Sequence, residues 1–154
     1  MTVLDSISSD ILPPYIRSRF VEGINGLRMH VLEAGHESSG RPCVLLMHGF
    51  PELASSWRKV MPQLAAAGYH VIAPDQRGYG RTTGWSDDYD ADLRPSSFLN
   101  LVRDTLWLVS AFGYRHVDSV IGHDFGSPVA AWCAPTLPGV SPPSAFVRGP
   151  LPRP

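Results

Sequence analysis

Cysteine is scarce in this chain, two among 154 residues, which is too few for a disulfide framework. Cys43 lies in an apolar run and Cys133 in a helical pattern, so both read as buried thiols of a reducing compartment. Charge of one sign is lacking as well. Thirteen basic and fourteen acidic residues leave a formal charge of -1 with no run of like charges, which excludes a nucleic-acid or anionic-membrane footprint. No apolar stretch approaches the roughly 18 residues of a spanning helix, and Met1 to Asp10 lacks the basic start and apolar core of a leader. A cytoplasmic, soluble protein is expected. No residues stand at metal-ligand spacing. Gly78 and Gly80 are followed by Thr83 where a dinucleotide fingerprint needs its third glycine, so neither a metal nor a nucleotide cofactor is expected.

What is present reads as an α/β domain. Phe20 to Ile24 and Leu27 to Glu33 flank Asn25 and Gly26, the dipeptide of a two-residue hairpin turn. Cys43 to Met47 and Tyr69 to Ala73 are short apolar runs of the kind buried on both faces of a sheet, and Val117 to Ile121 is a third. Between the first two, Trp57, Val60, Met61 and Leu64 recur at helical spacing, with a break or kink expected at Pro62. After a loop from Pro74 to Gly84, Ser96 or Ser97 caps a longer helix with Phe98, Leu101, Val102, Thr105, Leu108, Val109 and Phe112 on one face, ended by Gly113. Strands alternating with helices predict parallel pairing. The domain is expected over residues 19–134, after an extension at 1–18. From Pro135 to Pro154 there are seven prolines and no acidic residue, a composition that predicts disorder and neither strand nor helix. The break falls inside a helical pattern just past Ala134, as a shifted reading frame or a retained intron would produce.

One pentapeptide carries the chemistry: Gly122, His123, Asp124, Phe125 and Gly126. It lies where a strand turns into a helix, and a glycine two residues before and after the apex lets the two backbones pass close together. The apex side chain then emerges at the carboxyl end of the sheet, where open α/β sheets keep their ligands. Asp124 is that apex. An ionised carboxylate attacks carbon without a base to deprotonate it, which predicts an ester on the enzyme. His48, Gly49, Phe50, Pro51 and Glu52 end the neighbouring strand, and the backbone N–H groups of Phe50 and Phe125 are the expected oxyanion donors. His123, adjacent to the apex, is expected to support the site rather than act as its base. The pair Asp75 and Arg77 is read as a salt bridge that fixes its loop.

Taken together, HGFPE at His48 to Glu52, PDQRGYG at Pro74 to Gly80 and GHDFG at Gly122 to Gly126 resemble the α/β-hydrolase superfamily, in its soluble epoxide hydrolase and haloalkane dehalogenase branch. The likeness runs from about Phe20 to Ala134. It implies an α/β-hydrolase fold, N-terminal hairpin first, with Asp124 as the nucleophile that opens an epoxide and with no cofactor. It also implies a cis peptide before Pro51. Dehalogenases of this kind hold halide with an Asn and a Trp where this chain has Phe50 and Phe125, so a small-molecule epoxide is the favoured substrate. A dehalogenase, another ester hydrolase, or a truncated binding module remain the alternatives. The family's base histidine and its acid follow the nucleophile, but all six histidines here precede Asp124 and Pro135 to Pro154 has no acid. The lid, with its ring-opening tyrosines, and the last strands are missing too, so the chain reads as an N-terminal fragment with negligible turnover.

Overall fold

Alternating side chains on a five-residue strand, Cys43–Met47 (β3), set the two faces of the molecule. Cys43, Leu45 and Met47 point to one side of the sheet, Val44 and Leu46 to the other, and all five are buried. In this computed structural model, which describes residues 5–133 and the pair 146–147, β3 lies at the centre of a six-stranded mixed sheet. The other strands are Ile16–Ile24 (β1), Leu27–Ala34 (β2), His70–Pro74 (β4), Ser119–His123 (β5) and Phe146–Val147 (β6), in the order β1-β2-β4-β3-β5-β6. β1 and β2 form the expected hairpin around Asn25 and Gly26, both at positive φ. β2 pairs antiparallel with β4, whereas β4, β3, β5 and β6 run parallel.

The first face packs Leu45 and Met47 against Leu101, Val102 and Leu108 of the helix Phe98–Ala111 (α2) and Val129 and Ala130 of Gly126–Cys133 (α3). The second face packs Val44 and Leu46 beneath a 3₁₀ segment, Ala54–Lys59, and the helix Met61–Ala66 (α1). Both cysteines are buried and free, and the thiols are pushed up by burial, to about 12 for Cys43 and about 11 for Cys133.

Of the break or kink expected at Pro62 the structure has the break: Pro62 occupies the first turn of α1, where its missing N–H costs nothing, and the residues before it form the 3₁₀ segment rather than part of the same helix. Three expectations change. β1 begins at Ile16, so Ile16, Arg17 and Ser18 belong to the sheet rather than to an extension. The elbow strand is Ser119–His123, two residues later than its apolar run, and α3 starts at Gly126 rather than Val129. Phe146 and Val147 pair with Gly122 and His123 although no strand was expected in that stretch; the disorder expected for the rest of Pro135 to Pro154 lies outside the described residues. Ser97 stands at the N-cap of α2 with extended backbone but without a side-chain capping bond.

Candidate active site

The ends of β3, β4 and β5 bring three loops together. Between β5 and α3 the backbone reverses so tightly that a Cβ on Gly122 would collide with the Gly126 carbonyl, and one on Gly126 would collide with the carbonyls of Met47 and His48. Both glycines of the bracket are therefore required by space rather than by φ. The strained residue is the apex, Asp124, at φ 50°, a conformation a non-glycine residue adopts at a cost of order 1–3 kcal/mol. Its side chain is exposed beyond the sheet end.

The HGFPE loop closes over this apex. The N–H of Phe50 donates to Oδ1 of Asp124 at 2.9 Å, and the Phe50–Pro51 peptide is cis, as the resemblance implied. A Cβ on Gly49 would stand 2.5 Å from Asp124 Cβ and 2.8 Å from Oδ1, so only glycine lets the loop approach this closely. Hydrogen bonds from the Phe50 N–H, and next from the Phe125 N–H, hold the Asp124 carboxyl below its ordinary value. It is a carboxylate at neutral pH.

The neighbours lock the loop. His48 is wholly buried, with Nδ1 2.9 Å from the Gly49 carbonyl oxygen, and its Nε2 accepts the N–H of Gln76 at 3.0 Å; Gln76 Nε2 donates to the His48 carbonyl at 2.7 Å. Burial lowers the His48 pKa, which fits an imidazole that must accept a proton donor at Nε2. His123 lies 3.2 Å from a Glu52 carboxylate oxygen through Nδ1, both half-exposed.

Asp75 and Arg77 do not pair with each other. Asp75 Oδ2 stands 2.8 Å from His30 Nδ1 and accepts the Arg81 N–H, while Oδ1 accepts the Ala54 N–H. Burial works to raise its pKa, but these bonds, led by His30, hold it below the ordinary value. Arg77 instead makes two 2.8 Å bonds to buried Asp104 on α2. The expected bridge between them is replaced by separate partners: Asp75 is held by His30 of β2, and Arg77 by Asp104 of α2.

Beside the apex a cavity of about 350 Å³ is lined by Phe50, Gln76, Arg77, Gly78, Tyr79, Ser96, Leu101 and Phe125. Phe98 and Phe125 pack with ring centres 5.1 Å apart at its rim. Of the residues singled out from the sequence, His48, Gly49, Phe50, Pro51, Gly122, His123, Asp124, Phe125 and Gly126 gather in this one region. Tyr79, read from the sequence as part of a structural loop, lines this cavity between two glycines at positive φ. Among the described residues no group of three His, Cys, Asp or Glu side chains could hold a metal ion, and no helix is long and apolar enough to cross a membrane.

Residues 42–142 match the family described as alpha/beta hydrolase fold. The chain belongs to that family. Epoxide hydrolase A of Mycobacterium tuberculosis is 46% identical to this α/β hydrolase over 113 residues, which are 73% of this chain and 32% of that one. Epoxide hydrolase 3 of Siraitia grosvenorii is 41% identical over 110 residues, 70% of this chain and 31% of the other. Among solved structures, potato (Solanum tuberosum) epoxide hydrolase I superposes with a TM-score of 0.71 at 38% identity, over 86% of this chain and 39% of that chain. This α/β hydrolase thus spans about a third of the length of the curated relatives it matches.

Proposed function

We propose that the chain carries the alkylation step of an epoxide hydrolase, with Asp124 as the nucleophile. The observation that carries this reading is the bond from the Phe50 N–H to Oδ1 of a positive-φ aspartate at the tight strand-to-helix turn. With Oδ1 committed, Oδ2 is the attacking oxygen. It bonds to an epoxide carbon, the carbon–oxygen bond of the ring breaks, and the ring oxygen leaves as an alkoxide that takes a proton. Oδ1 becomes the carbonyl oxygen of the resulting ester, already facing the Phe50 donor, and the Phe125 N–H also bonds the carboxylate. When water later attacks the ester, charge develops on that same oxygen, where preorganised donors contribute most. The similarity to epoxide hydrolases favours this substrate class. The phenyl side chains of Phe50 and Phe125 offer no donor to a halide, which argues against a dehalogenase.

Ester hydrolysis needs a base to activate water. No histidine follows Asp124 in these 154 residues, His48 is sealed beneath Gln76, and His123 is directed to Glu52. The 154-residue chain is therefore expected to stop at the ester. Intact-mass spectrometry after incubation with styrene oxide should give one added equivalent on the wild type and none on Asp124→Ala. Steady multiple-turnover diol formation that disappears in Asp124→Ala would refute the arrest, and an adduct that survives this substitution would refute the nucleophile.

A further inference from the structure

A serine, a histidine and an aspartate outside the Asp124 cavity stand in one hydrogen-bonded line. Ser18 Oγ on β1 lies 2.7 Å from Nε2 of His30 on β2, and His30 Nδ1 lies 2.8 Å from Oδ2 of Asp75, which follows β4. These are the two contacts by which a base activates a hydroxyl and an acid orients the base, a constellation recognised by geometry and not by its place in a fold. We propose that Ser18, with His30 as base and Asp75 as orienting acid, is a second nucleophile of this chain, taking a small acyl group from an ester. Base and acid are rigidly joined. The Asp75 N–H donates to the His30 carbonyl at 2.9 Å, and Thr82 Oγ1 accepts the His30 N–H at 3.0 Å while donating to the Asp75 carbonyl at 2.6 Å. Both are buried, whereas Ser18 is partly exposed, so the hydroxyl faces outward with its base beneath.

The Asp75 carboxylate also accepts the N–H groups of Ala54 and Arg81, which leaves it an acceptor for His30 Nδ1–H. The lone pair of His30 Nε2 is then directed at the Ser18 hydroxyl. A cavity of about 50 Å³ adjoins this line, with Ile7, His30, Ser55, Asp75 and Arg81 in its wall, and it shares no lining residue with the Asp124 cavity. Ser18 Oγ is held between two of these residues, since it also accepts the Ile7 N–H at 2.8 Å. A single water needs roughly 10–15 Å³ of such space, so the cavity has room for an acetyl-sized group. Arg81 Nε has no hydrogen-bond partner among the described residues, and the guanidinium supplies a donor for a developing oxyanion. The step balances. Ser18 Oγ bonds to the acyl carbon, its proton passes to His30 Nε2, the carbonyl electron pair moves to oxygen and returns, and the alcohol leaves with that proton; water then releases the acid from the seryl ester.

The test uses the full 154-residue chain carrying Asp124→Ala, so that the carboxylate of the first site cannot react, and p-nitrophenyl acetate as the probe. Nitrophenolate release is followed by absorbance, and acetylated positions are mapped after an acid quench. Ser55 lines the same cavity, and no hydrogen bond joins its hydroxyl to a histidine among the described residues, so it serves as the internal control. The expected result is release at least tenfold slower when Ser18→Ala is added, with acetyl on Ser18 in at least tenfold excess over Ser55. Asp75→Asn, checked by circular dichroism, should slow acetylation of Ser18 at least tenfold by withdrawing the orienting carboxylate, an effect that a mere latch between hairpin and loop would not produce. Release slowed less than tenfold by Ser18→Ala, or equal acetylation of Ser18 and Ser55, overturns the proposal whether or not the Asp75 variant folds.

Discussion

Glycine at position 49 is decided by Asp124, seventy-five residues away in the chain. The HGFPE loop reaches the carboxylate only because no side chain intervenes, and a methyl group there would lie 2.8 Å from Oδ1. Gly49→Ala should therefore cost about 1–3 kcal/mol of stability through overpacking. It should also slow styrene oxide labelling at least tenfold by separating Phe50 from Asp124; chemical denaturation and adduct kinetics measure the two effects, and unchanged labelling would contradict the shared geometry. The acid side of the rate profile follows from the same bond. Because the Phe50 and Phe125 N–H groups depress the Asp124 pKa, the reactive ionised form persists as pH falls past the ordinary value of 3.8. Labelling should hold level to below that pH and fall only in stronger acid, within the range where circular dichroism shows the chain still folded. A fall centred above 3.8 would show that the N–H groups do not hold the carboxylate in solution.

Loops, more than strands, fix how these elements meet. Arg77 leaves the loop after β4 to form a bidentate pair with Asp104 on α2, and both are buried; Asn25 of the hairpin turn donates to the same carboxylate at 2.7 Å. One carboxylate thus ties the hairpin, the β4 loop and α2. Arg77→Ala strands Asp104 in the interior and should destabilise by about 3–5 kcal/mol. Replacing both residues, as Arg77→Met with Asp104→Leu, should recover much of that loss in urea unfolding. No recovery would mean that Arg77 acts by packing alone. Such pairings explain what the sequence could not disclose. Glycine spacing and apolar runs are local, so the hairpin, β3 and the Asp124 turn were legible from short windows. Arg77 and Asp104 are twenty-seven residues apart, outside any short window, while Asp75 and Arg77 stand close enough to suggest a bond they do not make. Pro62 left break and kink open for a local reason: its ring suits the first turn of a new helix as well as a kink in a longer one.

Across the whole molecule, a second buried carboxylate ties the N-terminal hairpin to β4. Asp124 and its donors gather past the ends of β3 and β5, whereas Glu33 on β2 pairs with Ile72 in the middle of β4. Glu33 is fully buried between Arg17 and Arg19 of β1 and His70 of β4, with a 2.8 Å bond from Arg17. His70 Nδ1 in turn lies 2.7 Å from the hydroxyl of Tyr114, which follows α2. Burial pushes the Glu33 pKa up, but hydrogen bonds from His70, Arg19 and Arg17 outweigh it and hold the value at about 2, against an ordinary 4.5. The folded state therefore favours the ionised form. Its contribution is complete above pH 4.5 and is lost as pH falls through the folded value, amounting to about 3 kcal/mol over that window. Glu33→Gln removes the titrating group, so its unfolding free energy should fall less steeply between pH 5 and pH 2 than that of the wild type. The two proteins should converge toward the acid end. Urea titrations at a series of pH values measure both slopes, and parallel slopes would place the acid sensitivity of this fold in other carboxylates. Because Glu33 lies away from the cavity, the labelling rate of the folded Glu33→Gln variant at neutral pH should match wild type, separating the clamp that holds the sheet together from the turn that presents Asp124.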